Sequence, residues 1–349
     1  MSSSGHLRIE HDFGGGFVRL RTSEAERRQA AQDIRCSEDI VIELLRNARD
    51  AHASNIYVAL AREGSVRSIT VIDDGQGIPS SMHEHVFEPR VTSKLDSSHM
   101  DKWGLHGRGM ALYSVAQNAS SSYVAASDTS LGTSIVVKTN LDKIGERSDQ
   151  STFPTFELSE GSKVKVRGPR NMLRCTCEFA LEERKSCSVF IGAVSEIAAT
   201  LYAYGKATLS AIERAFCNDV DSLPISKRLA TTADPASFAA LSSSLGLPIS
   251  ERTARRILDG EIDQLDPILN SISIDRPKAS KTQTIASGRK RSRDKVKISS
   301  DDARAFSESV KEAYSSLAEK YYLDDNVDPL LRVGHDKLTL TIPVVKADI

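Results

Sequence analysis

A stripe of acid and amide side chains lies along one side of a helix predicted to begin near Ser37. At about 100° per residue, Glu43, Asn47 and Asp50 fall within roughly a 60° arc. A carboxylate beside an amide oxygen suits a hard cation and an attacking water, because the amide can bind Mg²⁺ and the carboxylate can take a proton. An ordinary solvated helix face has the same residue types, so the stripe alone leaves both interpretations open.

The helix that positions this stripe is predicted from its cap and from its apolar side. Ser37 is a predicted N-cap, and Glu38 and Asp39 place negative charge in the first turn, where the helix dipole favours it. The side opposite the stripe is expected to face a core. Its apolar residues are Val41, Leu44, Leu45 and Ala48.

A second polar cluster follows a predicted buried strand, Ser68 to Ile72, which is rich in β-branched residues. The sequence Asp73-Asp-Gly-Gln-Gly-Ile-Pro79 then turns the chain, since glycine allows positive φ and close backbone approach. An aspartate at the end of a buried strand can accept a hydrogen bond from an amino group such as that of adenine. A plain Asp-Gly turn is the alternative.

A third cluster, Gly104 to Gly109, has the glycine pattern Gly-x-x-Gly-x-Gly and precedes a predicted helix from Met110 to Asn118. Such a loop offers backbone N–H groups and the positive end of a helix dipole to a phosphate. The pattern is not the dinucleotide-binding fingerprint, because no strand precedes it within a βαβ unit. A simple turn remains an alternative for this loop as well.

Taken in order, the three clusters resemble the GHKL ATPases, which include gyrase-type topoisomerase subunits, a heat-shock chaperone, sensor histidine kinases and MutL. The resemblance runs from Ser37 to about Asn140. It implies an α/β fold of the Bergerat type, a mixed sheet covered by helices with ATP between the helices and the sheet. A mainly helical second region is expected to follow.

The resemblance also implies roles for individual residues, with ATP and Mg²⁺ as cofactors. Glu43 corresponds to the general base, Asn47 to the magnesium ligand and Asp73 to the adenine-binding aspartate. The other residues implied to bind the nucleotide are Asp50, Gly75, Gly77, Ile78, Thr92, Ser93, Lys94, Gly104, Leu105, His106, Gly107, Arg108, Gly109, Met110 and Thr133.

The segment between the second and third clusters corresponds to the ATP lid of the family. Phe87 to Lys94 reads Phe-Glu-Pro-Arg-Val-Thr-Ser-Lys, and its last three residues resemble the lids of MutL and the topoisomerases. The surrounding residues, Ser80 to Ser98, are predicted to be irregular, with His83, His85 and His99 exposed to solvent. A lysine from the C-terminal segment completes the site in related topoisomerases, and Lys337 is a candidate.

Composition places the chain among globular proteins of two or three domains. It has 349 residues, 40% of them apolar and 27% charged, with a net charge of −1. No apolar run approaches the roughly 20 residues that span a bilayer, and the polar, glycine-rich start predicts no signal peptide. Five cysteines suit a reducing compartment, so a cytoplasmic location is expected. Buried thiols are favoured over a metal site for Cys175-Thr-Cys177.

Five segments are predicted along the chain. Residues 1–36 form an N-terminal arm, flexible up to residue 22, followed by a charged helix. The ATP-binding domain covers 37–192, with 144–160 as a polar connector inside it. A helical module covers 193–274, a basic linker 275–300, and a helix and a strand 301–349.

Two features in the second half of the chain leave DNA contact open. Phe238 to Leu258 predicts a helix, a glycine turn and a second helix carrying Arg252, Arg255 and Arg256, which serves either DNA binding or packing. The linker has nine Lys or Arg against two Asp between Asp275 and Lys297, a composition typical of a disordered basic tether.

The function predicted from these features is Mg²⁺-dependent ATP hydrolysis that drives dimerisation and conformational change in a DNA transaction, similar to that of topoisomerases or MutL. The expected partners are a second copy of the chain, DNA, and a protein carrying nuclease or cleavage activity, with no membrane. Two alternatives stay open: a protein kinase of the histidine or anti-sigma type, and an ATP-binding scaffold with little turnover.

Overall fold

The structure, a computed structural model, describes residues 9–93, 99–101, 104–106, 109–158, 164–215, 217, 219–272 and 274–275, and separate positions between 306 and 342. The chain forms two compact units, Met1–Lys278 and Ala279–Ile349.

The first unit combines several small sheets and one large sheet with helices. Its strands are β1 (Ile9–Gly14), β2 (Phe17–Leu20), β3 (Asn55–Glu63), β4 (Val66–Asp73), β5 (Val91–Thr92), β6 (His99–Asp101), β7 (Gly104–His106), β8 (Ser121–Ser127), β9 (Thr133–Asn140), β10 (Thr155–Leu158), β11 (Val164–Arg167), β12 (Ser188–Ala193) and β13 (Ile274–Asp275). Its α-helices are α1 (Glu24–Asp33), α2 (Ser37–Asp50), α3 (Ala111–Asn118), α4 (Met172–Glu182), α5 (Val194–Thr208), α6 (Ala211–Ala215), α7 (Pro235–Ser244) and α8 (Glu251–Leu258).

The large sheet has five strands in the order β12-β3-β4-β9-β8. β12 runs parallel to β3, and the other neighbours are antiparallel. The alternating side chains of β3 and β4 supply apolar residues to both faces, which explains their nearly continuous apolar sequence. The prediction of a mixed α/β sheet with helices, followed by a mainly helical region, is confirmed.

The first face of the sheet is covered by α2, α3 and α4. Ile56 and Val71 of the sheet pack with Leu45 of α2, Val115 of α3 and Phe179 of α4. The apolar side predicted for α2 is therefore buried as expected. The predicted cap differs by one residue: Ser37 is the first residue of the helix, and Cys36 precedes it as the N-cap.

The start of α2 is stabilised by a carboxylate rather than by the predicted serine cap. Asp39 Oδ2 accepts hydrogen bonds from the backbone N–H groups of Arg35 at 2.8 Å and Cys36 at 3.2 Å. Ser37 is fully buried, and its hydroxyl lies 3.5 Å from that of Thr139 in β9. The Ser37–Thr139 contact fixes the start of the helix against the sheet.

The second face of the sheet is covered by the helical region, so helices cover both faces. Tyr57 and Ile72 pack with Ile197 of α5, Phe238 of α7 and Ile257 of α8. The Tyr57 ring also stacks on Phe190 of β12 at 4.9 Å. The helices after residue 193 therefore share a core with the sheet instead of forming a separate one.

The turn between α7 and α8 is a packing unit on this second face. The Thr70 hydroxyl donates to the Gly246 carbonyl at 2.9 Å, and the Ser134 hydroxyl donates to the Leu245 carbonyl at 2.7 Å. Gly246 has φ +77°, and a Cβ there would lie 2.2 Å from Val136. Arg252 and Arg255 remain exposed on the outer side of α8, where contact with a partner is still sterically open.

Residues 9–20 form regular structure where a flexible arm was predicted. β1 and β2 pair as an antiparallel hairpin around Gly15 and Gly16, which have φ +60° and +87°. The hairpin pairs further with β5, in the order β1-β2-β5. Helix α1 follows as predicted, with Ser23 and Glu26 forming a capping box.

The predicted polar connector also contains a strand. β10 pairs antiparallel with β11 and parallel with β13. Phe156 of β10 is 1% exposed and belongs to the core beneath the first face. One buried aromatic residue in a polar stretch is a weak sequence signal, which explains why the strand was missed.

The cysteines are free thiols. Burial raises the pKa of Cys175 and Cys177 to about 12, so both remain neutral at pH 7. Among the described residues, no three His, Cys, Asp or Glu side chains converge as a metal-binding group. No helix in the described ranges is long and apolar enough to cross a membrane.

In the second unit, strand β14 (Leu330–Val333) pairs antiparallel with β15 (Leu338–Thr341). A strand was predicted from residue 338 onward with an unknown partner, and β14 of the same chain is that partner. Tyr314 and Ala318, on the predicted C-terminal helix, pack with Ile342. The basic residues 276–297 and the candidate Lys337 lie outside the described residues.

Candidate functional site

A pocket opens between α2, the ends of β4 and β9, and residues 80–93, here called the lid segment. Its volume is about 990 Å³, a figure that includes the open solvent at its mouth. The residues that line it are Phe17, Leu44, Asn47, Ala48, Asp50, Ala51, Val71, Asp73, Gln76, Gly77, Ile78, Val86, Val91, Thr92, Ser93, Gly109, Ala111, Leu112, Thr133 and Ile135.

Helix α2 brings two of its three stripe residues to the pocket. Asn47 and Asp50 line it, one helical turn apart. The Asn47 amide nitrogen is buried and has no hydrogen-bond partner among the described residues. A buried amide without a partner is costly, so this side chain is suited to a ligand that supplies one.

Glu43 lies one turn before Asn47 and does not line the pocket itself. Its carboxylate accepts a hydrogen bond from Arg46 at 2.8 Å, and the side chains are 19% and 3% exposed. Glu43 and Asn47 are one turn apart in α2, so they lie on the same side of the helix. The stripe predicted from helical periodicity therefore exists, with its first member further from the pocket than the other two.

Asp73 occupies the end of β4, as predicted, and is 6% exposed. Its Oδ1 accepts the backbone N–H of Gly75 at 2.8 Å, which fixes the carboxylate at the pocket wall. Thr133 is its register partner on β9, and the Thr133 hydroxyl lies 3.2 Å from that of Ser127. A carboxylate and a hydroxyl thus meet at the same edge of the sheet.

Glycines allow three backbone segments to meet beside Asp73. A Cβ on Gly75 would lie 2.7 Å from the Ala51 carbonyl oxygen, at the end of α2. A Cβ on Gly77 would lie 1.8 Å from the Asp128 carbonyl oxygen, and one on Gly132 would lie 2.2 Å from the Asp73 carbonyl oxygen. Gly75 does not line the pocket, so its role in this geometry is close packing behind Asp73.

Gly77→Ala is expected to destabilise the fold and weaken ligand binding in the pocket. Its φ of +74° disfavours a side chain by about 1 kcal/mol, and the clash with Asp128 adds to that cost. Gly64→Ala is the matched control, because Gly64 has φ +58° and no atom within 4 Å of the added Cβ. Urea unfolding of both variants separates the two effects: equal losses of stability would contradict a requirement for close approach at Gly77.

The glycine-rich cluster is only partly a loop. β7 pairs antiparallel with β6, so Gly104, Leu105 and His106 belong to a short hairpin rather than to the predicted open turn. Gly109 has φ +68° and lines the pocket. Helix α3 begins at Ala111, one residue later than predicted, with Met110 as its N-cap. Lys94, Gly107 and Arg108 lie outside the described residues.

The lid segment contains more structure than the irregular stretch that was predicted. Short 3₁₀ turns occupy Ser80–Met82 and His85–Phe87, followed by β5. Thr92 and Ser93, two of the residues that the resemblance implies bind the nucleotide, line the pocket. His83 and His85 are half-buried rather than exposed, and His85 Nδ1 lies 2.7 Å from a Glu88 carboxylate oxygen.

Among the described candidates, the structure gathers Asn47, Asp50, Asp73, Gly77, Ile78, Thr92, Ser93, Gly109 and Thr133 around one pocket. Glu43, Gly75 and Met110 lie beside it. Sequence reasoning missed the apolar wall, which includes Phe17, Val86, Val91 and Leu112. Such residues carry no chemical signal, and Phe17 is brought in from a hairpin that was not predicted.

Comparison with known proteins agrees with this geometry. Residues 33–147 match the family model described as histidine kinase-, DNA gyrase B- and HSP90-like ATPase. The DNA mismatch repair protein MutL of Staphylococcus aureus strain Newman is 34% identical over 128 residues, which cover 36% of this chain and 19% of MutL. MutL of strain JH1 gives the same values. The chain therefore spans about a fifth of the length of these relatives.

The matches among solved structures include the crystal structure of the N terminal domain of a DNA repair protein. It has a TM-score of 0.24 and 16% sequence identity, and the match covers 44% of this chain and 59% of that chain.

Proposed function

Because residues 33–147 form a domain of the GHKL ATPase family, we propose that this chain binds ATP with Mg²⁺ and hydrolyses it in the pocket described above. The observation that carries the proposal is that Asn47 of α2 and Asp73 of β4 line the same pocket. These two residue types come from separate elements, and their convergence gives the pocket an amide and a carboxylate.

Asp73 is proposed to accept a hydrogen bond from the adenine amino group. The carboxylate is buried and held by the Gly75 N–H, so its acceptor atoms have a fixed direction. A buried carboxylate that meets a donor in a fixed position favours one ligand over analogues lacking the donor. Thr133 and the backbone near Gly77 complete this side of the pocket.

Asn47 is the residue proposed to hold Mg²⁺. The fit rests on donor chemistry, because the side chain lines the pocket and its amide oxygen is the kind of hard ligand that Mg²⁺ takes. Bound there with ATP, Mg²⁺ would neutralise phosphate charge.

Glu43 is proposed as the general base that takes a proton from the attacking water. Arg46 pairs with its carboxylate at 2.8 Å. The base does not need to line the pocket itself, because one water can connect it to the reacting phosphorus. This arrangement separates turnover, which needs Glu43, from binding, which needs Asp73.

The direct test is release of inorganic phosphate from ATP by the full chain. We expect slow turnover that stops when EDTA removes Mg²⁺ and returns when Mg²⁺ is added in excess. Turnover unaffected by EDTA would contradict the role of Asn47 and the metal. ATP binding without phosphate release would support a scaffold, and phosphohistidine on the chain would support a kinase.

We further propose that ATP binding drives dimerisation and conformational change in a DNA transaction within the cytoplasm. Support comes from the similarity to MutL, whose name assigns it to DNA mismatch repair. The predicted segment boundaries, a DNA-contacting linker and a partner protein with nuclease or cleavage activity belong to this same proposal. The exposed Arg252 and Arg255 of α8 offer a second surface for DNA.

The basic segment is expected to dominate any affinity for DNA. Residues 275–297 contribute +7 to a chain whose net charge is −1, so the remainder carries −8. Replacing Arg289, Lys290, Arg291 and Arg293 with Ala should weaken binding and flatten its salt dependence by up to about four units of slope. ATP hydrolysis without DNA serves as the control and should be unchanged. Equal slopes would assign DNA contact to α8 instead.

A further inference from the structure

Phe17 of the N-terminal hairpin forms part of the pocket wall, together with Val86 and Val91 of the lid segment. Val86 and Val91 are 7% exposed and share an apolar cluster with Phe13 and Phe17. The hairpin is thus packed against the inner side of the lid segment. A ligand in the pocket would meet residues of the hairpin as well as residues of α2 and the sheet.

Strand β5 has the hairpin as its sheet neighbour. In the order β1-β2-β5, Val18 is opposite Thr92 and Arg19 is opposite Val91. The Leu20 N–H adds a hydrogen bond to the Arg90 carbonyl at 3.1 Å. A two-residue strand has little stability of its own, so the position of β5 depends on β2.

Ion pairs join the lid segment to the hairpin and to α1. Arg19 pairs with Glu88, and Arg90 donates to Glu26 of α1 at 2.8 Å. Arg90 has φ +57°, a conformation that a non-glycine residue adopts at a cost and that its surroundings must hold. The hairpin and α1 supply these surroundings.

The glycine-rich cluster lies directly against this held strand. A Cβ on Gly109 would approach the backbone of Arg90 and the side chain of Thr92 to 3.2 Å. A displacement of β5 therefore changes the space around Gly109 and around Thr92, both of which line the pocket. Hairpin, lid segment and glycine loop form one continuous set of contacts.

We propose that residues 9–20 act as a strap within the same chain that holds the lid segment over the nucleotide, with Phe17 as a binding residue of the pocket. The strap sets nucleotide affinity and slows nucleotide release, because the lid segment moves outward only when the pairing of β2 with β5 is lost. This inference rests on the proposed function, since it assigns regulation to the same site.

Charge reversal with rescue tests the strap. Arg19→Glu places two carboxylates together at the Glu88 contact, and Arg19→Glu with Glu88→Arg restores an opposite pair. Release of a fluorescent ATP analogue should be at least about fivefold faster in the single variant and return toward the wild-type rate in the double variant. Backbone hydrogen exchange of residues 86–93, measured without nucleotide, should be faster in the single variant and return toward the wild-type rate in the double variant. Unchanged exchange and release in the single variant would overturn the proposal.

Phe17→Leu tests the wall residue, with Phe13→Leu as the matched control. Both side chains belong to the same apolar cluster, but only Phe17 lines the pocket. Phe17→Leu should weaken binding of the ATP analogue about tenfold, and Phe13→Leu less than threefold, with similar thermal unfolding temperatures. Equal effects would remove Phe17 from the binding site. If the wild type binds no nucleotide, the proposed function fails, and hydrogen exchange alone then decides whether the hairpin holds the lid segment.

Discussion

Glu43→Gln is expected to reduce ATP turnover by about 10²–10⁴-fold, the usual contribution of a general base, while ATP binding stays within a fewfold of wild type. Glutamine keeps the shape of the side chain and can still contact Arg46, which lies 2.8 Å away, but it cannot take a proton. Alanine would also remove the partner of the buried Arg46 and combine a loss of stability with the loss of turnover.

Single-turnover phosphate release and equilibrium binding of an ATP analogue measure the two quantities separately. Glu63→Gln is a suitable control, because this exposed glutamate at the end of β3 lies outside the pocket. Normal turnover in Glu43→Gln would show that another group activates the water. Loss of both turnover and binding would instead indicate a role for Glu43 in holding the nucleotide.

Asp73→Asn should lose ATP binding itself, whereas Glu43→Gln should lose turnover and keep binding. An amide presents a donor where the adenine amino group needs an acceptor, and loss of a charge-assisted hydrogen bond costs roughly 1.5–3 kcal/mol, more than tenfold in affinity. Because Asp73 also accepts the Gly75 N–H at 2.8 Å, some loss of stability is expected as well. Isothermal titration with a nonhydrolysable ATP analogue measures the affinity.

The neighbouring Asp74 provides the control for that loss of stability. Its carboxylate accepts the backbone N–H groups of Ser54 at 2.7 Å and Asn55 at 2.8 Å, and it does not line the pocket. Asp74→Asn should therefore lower the unfolding temperature without a comparable loss of affinity. An unchanged affinity in Asp73→Asn would refute the assignment of the adenine side of the pocket.

Features encoded within one element were predictable from the sequence. The apolar side of α2 and the stripe of Glu43, Asn47 and Asp50 follow from helical periodicity. The buried strand before Asp73 follows from its β-branched residues. The family resemblance then connected these elements into one site, which periodicity alone does not do.

Features that depend on pairing between distant segments were not predictable. β2 pairs with β5 across about 70 residues of sequence, and neither segment alone has a strong strand pattern. The covering of the second sheet face depends on Phe238 and Leu245 meeting Tyr57 and Ile72. The local sequence around each of these residues does not specify its partner. The apolar residues of the helical region would equally have suited a core of their own, separate from the sheet.

The double covering of the sheet determines how this chain can be divided. Residues 33–147 carry the family match, yet a fragment with those ends would lack β12, α4 and every helix of the second face. Tyr57, Ala59 and Ile72, each at most 1% exposed, would then face water. Exposing apolar surface costs about 25 cal/mol of folding free energy per Å². The segment that folds is therefore larger than the segment that matches the family model. A recombination event or a chimera that moves residues 33–147 must move the helical region with them.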